Sequence, residues 1–216
     1  KLQAANQRAD QLATADANQQ AWLLYVLAEA SRPDQARLDG LYANREKLSL
    51  YARALLALGL NTAGAPADDA RIKTLLSDLS SAAVLSATGA HWEEQERDWW
   101  SMNTDTRTTA IVLYALTKLD PSVRAQQPGQ NTGGAQAQAT AAPLATNVVR
   151  WLMVARRDGI WETTQETAWA LIALTDWMDS TGELGASYDY GVWLNDQQQA
   201  SGQQVALAVL SVAPRG

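Results

Sequence analysis

A chain of 216 residues with 47% hydrophobic content is long and apolar enough to bury a full core, which excludes disorder as a description of the whole. Its formal charge of -6, with no run of Lys or Arg, argues against nucleic acid and anionic membrane surfaces as partners. Without a single cysteine there can be no disulfide, thiolate metal site, thiol nucleophile or thioester built from this segment alone.

The chain starts Lys1-Leu2-Gln3-Ala4, which is neither an initiator Met nor a signal peptide pattern, so it reads as an excerpt of a longer protein. Four segments repeat along it: Ala21 to Leu27, Ala52 to Leu58, Ala110 to Leu116 and Ala168 to Leu174. Each begins with Ala and carries Leu at its fourth and seventh places; the last three recur at equal offsets of 58, and the first stands 31 residues ahead of them. Rich in Ala and Leu and apolar nearly all round, they predict four helices enclosed by protein, an inner layer. Even the stretch from Ala110 to Leu116 is far short of the roughly 20 apolar residues that cross a bilayer.

Between these copies lie one-sided segments. Asp34 to Asn44 comes first, then Ile72, Leu75, Leu76 and Leu79 at i, i+3, i+4, i+7, then Thr146 to Arg156. Alternation of buried and half-buried helices implies two concentric layers, with an irregular helical bundle as the other reading. Asp34 and Asp68 are candidate caps for outer helices, Thr104 or Asp105 for the third inner one, and Gly59, Gly89 and Gly182 are candidate helix ends. Residues 125–142, rich in Gln, Gly and Ala, read as a mobile surface loop inside the domain. Near residue 186 the period changes to two, with Tyr188, Tyr190, Val192 and Leu194 on one face. Asn195-Asp196 then gives a turn signal, and Gln203 to Val212 offers a second strand. Such a hairpin is expected to join a larger sheet or pack on the helices.

Three phrases carry a resemblance: Trp99-Trp100-Ser101-Met102-Asn103-Thr104-Asp105-Thr106-Arg107-Thr108-Thr109-Ala110, Val148-Val149-Arg150-Trp151-Leu152, and Asp158-Gly159-Ile160-Trp161-Glu162-Thr163-Thr164-Gln165-Glu166-Thr167-Ala168-Trp169. With Trp92-Glu93-Glu94 before them, the stretch from His91 to Asp179 resembles the thioester-containing helical domain of the α2-macroglobulin and complement family, most closely its bacterial members. The resemblance covers roughly residues 15 to 185. It implies a mainly α fold: an α/α toroid of two-layer helical hairpins, incomplete here, over residues 1–185. A flanking CUB-like domain would begin with the β-strand segment 186–216. It further implies a broad-spectrum endopeptidase inhibitor that traps proteases, located in the periplasm or at the cell surface. The partners implied are the captured proteases and the other macroglobulin domains of the same chain, with membrane contact only through an anchor of the parent. Armed members carry a Cys and a Gln three residues on; with no Cys here, either that motif lies upstream or the parent belongs to the subset that traps without a covalent bond.

No enzyme activity, cofactor, catalytic residue or metal site is expected within the segment. Asp105 and Arg107, with Glu162 and Glu166 at the equivalent approach to the last inner helix, are candidates for the mouth of the toroid; helix capping and ion pairing are their blander duties. His91, the one histidine, invites a catalytic reading but lies in a connection between helices. Glu93, Glu94, Glu96 and Asp98 lack the alternating oxygens of a calcium loop and read as a solvated turn. The nine tryptophans, Trp92, Trp99, Trp100, Trp151, Trp161, Trp169 and Trp177 among them, read as wedges between helices rather than sugar platforms. Two rival functions stand beside the trap. One is an α/α-toroid enzyme of the terpene cyclase, prenyltransferase or glycoside hydrolase type, although neither D-x-D-D nor a zinc ligand set is present. The other is a purely structural docking domain.

Overall fold

A computed structural model describes residues 14–95, 102–124, 142–182, 188–194 and 197–204. Among them are eight α-helices: α1 (Thr14–Glu29), α2 (Gln35–Ala43), α3 (Leu50–Thr62), α4 (Ala70–Ser81), α5 (Asp105–Leu119), α6 (Pro121–Arg124), α7 (Ala142–Val154) and α8 (Thr164–Thr181). A 3-10 turn, Arg45–Lys47, precedes α3. The strands form two antiparallel pairs, β1 (Val84–Ser86) with β2 (Gly89–His91), and β3 (Tyr188–Leu194) with β4 (Gln197–Gln204). The protein is therefore mainly helical, as its periodicity predicts.

The four repeat copies all lie in helices, α1, α3, α5 and α8, which pack in that order, each against the next. Helix α2 lies against α1 and α3, α4 against α3, and α7 against α5. One core runs through them, centred on Leu55, Leu56, Leu60, Ile111, Leu113 and Leu116, all fully buried.

Enclosure is where the expectation needs correcting. Helices α3 and α5 are buried nearly all round, but α1 exposes Trp22, Leu23, Val26 and Leu27, and α8 exposes Leu171 and Ile172. The same repeat position holds Leu24, Leu55, Leu113 and Leu171; the first three are buried and the fourth is 54% exposed. The physical reason is position in the row. Helices α3 and α5 each have repeat neighbours on both flanks, whereas among the described residues α1 packs on α3 and α8 on α5.

Several boundaries also move. The cap of α4 is Asp69, whose carboxylate accepts from the Arg71 amide, rather than Asp68. Gly59 ends nothing: it sits inside α3, where a Cβ would make an ordinary contact 3.5 Å from the Tyr25 backbone of α1. Gly89 belongs to a strand, within a hairpin over 84–91 that the sequence does not announce. Asp34 caps α2, Thr104 caps α5, and Gly182 closes α8 in the left-handed region at φ 73°, as expected. A second C-terminal strand runs Gln197–Gln204, pairing at once with β3 across the turn, while residues 205–212 of the expected strand Gln203 to Val212 lie outside the described residues. Residues 125–141, Asn195-Asp196, Glu96, Asp98, Trp99 and Trp100 lie outside the described residues.

Candidate functional site

Polar residues gather where α3 and α5 begin. Helix α3 has four amides without intrahelical partners, and its N-cap Ser49 makes no side-chain cap. Two distant residues supply what is missing. Asn18 of α1 accepts from the Ser49 amide at 3.0 Å and donates to the Ser49 hydroxyl at 2.7 Å. Glu94 places its carboxylate over the helix start, Oε1 accepting from the Tyr51 amide at 3.0 Å and Oε2 from the Leu50 amide at 3.2 Å. The Thr108 hydroxyl of α5 donates to the same Oε1 at 3.0 Å. An anion at a helix N-terminus complements the partial positive charge of the unpaired amides.

Asp105 completes the link by accepting the Glu94 amide at 3.1 Å. Arg107, only 4% exposed, donates Nη1 to Asn103 at 3.0 Å and lies 4.9 Å over the Tyr51 ring. A buried guanidinium needs such partners, because desolvation without them is costly. Glu94, Asp105 and Arg107 thus form one network that joins two repeats through helix starts.

The other two candidates go elsewhere. Glu166, 4% exposed, makes a capping box with Thr163 at the start of α8: Glu166 Oε2 accepts the Thr163 amide, and the Thr163 hydroxyl accepts the Glu166 amide. Glu162 is exposed before that helix. Glu94 is the residue whose role the sequence hides. Read as one carboxylate in a solvated acidic turn, it is a cap for a helix 44 residues earlier. Only the bare Leu-Ser-Leu start of α3, lacking a good first-turn acid, hints that one must come from outside.

His91 lies in β2, stacked on Trp151 with ring centroids 4.7 Å apart, its Nε2 3.0 Å from Glu93 Oε1. Trp92 beside it is fully buried, its Nε1 donating to the Leu79 carbonyl at 2.7 Å and its amide to the Thr109 hydroxyl at 3.1 Å. Trp161, Trp169 and Trp177 are likewise buried, in keeping with a packing role, while Trp22 is 38% exposed and meets Trp169 edge-on at 6.1 Å. Below them Tyr25 and Tyr114 pair across α1 and α5, and burial raises both phenols above their usual pKa. Lys118 pairs with Asp176 across α5 and α8, at the same 58-residue offset as the repeat.

Beside the Glu94 cap opens a groove of about 620 Å³, lined among others by Glu46, Ser49, Leu50, Arg53, Val84 and Glu93. Chemically this end of the molecule is built to tie elements together. Glu94 already accepts three donors, so its oxygens are committed to structural bonds. Among the described residues no group of three or more His, Asp or Glu side chains is placed to hold a metal ion, and no helix is long and apolar enough to cross a membrane. No family model and no curated protein matches the chain.

Proposed function

We propose that this chain is the helical domain of a bacterial α2-macroglobulin-like protease trap, and that α1, α3, α5 and α8 are inner helices of an α/α toroid. The observation that carries the reading is the fate of the residues behind the resemblance. Asn103, Thr104, Asp105, Arg107 and Thr108 start α5 and hold Glu94 over α3, while Trp161, Thr163 and Glu166 start α8. Their duty is to cap and register helices, as a scaffold requires, and a rearranging trap needs domains that move as stiff units. On this reading the target proteases, the neighbouring macroglobulin domains and a periplasmic or cell-surface location belong to the parent protein.

The test is protease capture by the parent protein, with and without methylamine. A trap leaves a captured protease active on small peptides and inactive on large proteins. Sensitivity to methylamine would place a thioester outside this segment. Turnover of a polyprenyl or glycan substrate, or a protease that keeps full activity on large proteins, would overturn the reading.

A further inference from the structure

Among the described residues, the hairpin formed by β1 and β2 has one anchored strand and one open one. Strand β2 is bolted to the helices: at Gly89 a Cβ would stand 2.2 Å from the Asn147 carbonyl oxygen, His91 stacks on Trp151, and Trp92 is sealed in the core. Strand β1 pairs with β2 through Val84 to His91, Leu85 to Ala90 and Ser86 to Gly89, and in this two-stranded sheet its second edge faces away. Ser86 and Gly89 flank a two-residue turn and so exchange hydrogen bonds, which makes Leu85 and Ala90 the pair that does not. The amide and carbonyl of Leu85 therefore point outward from the sheet. Its side chain is 72% exposed, and Val84 is 37% exposed. An edge held this rigidly, with apolar side chains and no charged residue on it, is a template for another strand.

The groove continues from this edge through Ala82 and Val84 to Leu48 and Leu50, apolar residues in a lining that is otherwise polar. Its charged rim is uneven. Lys47 lines it too, half-buried; Arg53 is engaged with the Leu48 carbonyl and with Asp78, and Glu94 with the start of α3, while Glu46 and Glu93 stand exposed, Glu93 3.0 Å from His91 Nε2. We propose that β1 takes an extended peptide as an added strand, one that lays an apolar side chain in the groove and a Lys or Arg against Glu46 and Glu93. This site is independent of the trap reading and is tested without protease.

The probe is a synthetic strand of about eight residues alternating Val and Thr with Lys at its ends, a usual strand length. It is titrated into the whole chain by calorimetry, beside a Glu-ended version and a Lys-ended version N-methylated at alternate amides. The Lys probe is expected to bind saturably and to slow hydrogen exchange at the Leu85 amide. N-methylation keeps charge and side chains but removes strand donors, and should weaken binding about tenfold or more. Leu85→Pro, which deletes an outward donor on an edge that tolerates proline, should do the same, and Glu46→Lys with Glu93→Lys should reverse the preference to the Glu probe. Equal binding of the N-methylated probe would reduce the effect to the attraction of a chain of charge -6 for cations, and overturns the proposal. No binding, or unchanged exchange at Leu85, overturns it as well, and a dimer that Leu85→Pro dissolves would assign the edge to a second copy instead.

Discussion

Helices α3 and α5 differ from α1 and α8 in surroundings far more than in sequence. All four carry the same Ala and Leu repeat, yet Leu55 and Leu113 are fully buried while their counterpart Leu171 is 54% exposed. A repeat motif therefore records what a helix can bury, and the neighbours decide what it does bury. Substitutions at matched positions break or sharpen that contrast. Leu55→Ala should cost about 2–5 kcal/mol, the usual range for emptying a packed leucine site. Urea unfolding measures it, and a loss below about 1 kcal/mol would show that α3 is loosely held. Gly89→Ala comes next. The methyl would meet the Asn147 carbonyl oxygen, and the residue has φ 136°, where side chains are strained, so a loss of about 1–3 kcal/mol and weaker docking of the hairpin on α7 are expected.

Glu94→Ala strips α3 of its borrowed cap and leaves the Thr108 hydroxyl with Asn103 Oδ1 alone, for an expected loss of about 1–2 kcal/mol. Glu94→Gln keeps one acceptor and should lose less; equal losses would mean that the charge at the helix start contributes everything. A smaller effect is set by pH. The Arg71 guanidinium and amide hold the Asp69 carboxyl down at about 2. A depressed pKa means that the bonds stabilise the fold above the ordinary carboxylate value of about 4 and that this contribution fades as pH falls from there toward 2. Asp69→Asn should flatten that part of the acid limb of a thermal melt. The two phenols act in the opposite sense: raised by burial, they favour the fold below about pH 10 and withdraw that support as pH climbs further, so Tyr25→Phe should blunt alkaline unfolding. Least of all, Leu171→Ala should move stability by under about 0.5 kcal/mol, as surface changes do.

The helices and their repeat were legible because a period of 3.6 with Ala and Leu is a local signal. The caps at Asp34 and Thr104 were legible for the same reason, since each lies within three residues of the amide it serves. What stayed hidden depends on distance. Val84-Leu85-Ser86 is too short for a period to show, and its strand exists because Gly89 can press against α7, some 60 residues on in the chain. Of the four residues expected at the toroid mouth, Asp105 and Arg107 share one network, but Glu162 stands exposed and Glu166 is spent on its own helix, because a Thr three residues before a Glu satisfies both locally. The half-wet state of α1 and α8 cannot be seen in their composition, which matches that of their enclosed relatives.

The long reach of Glu94 also bears on how the chain comes together. During synthesis, from the N-terminal end onward, α3 is complete in sequence at Thr62, yet its first two amides wait for a side chain 32 residues later and for the hydroxyl of Thr108 beyond it. Until those residues have left the ribosome, the helix frays at its start and its apolar surface lacks the α5 wall. Early repeats should therefore ripen late, as one cooperative step once α5 arrives, rather than one hairpin at a time.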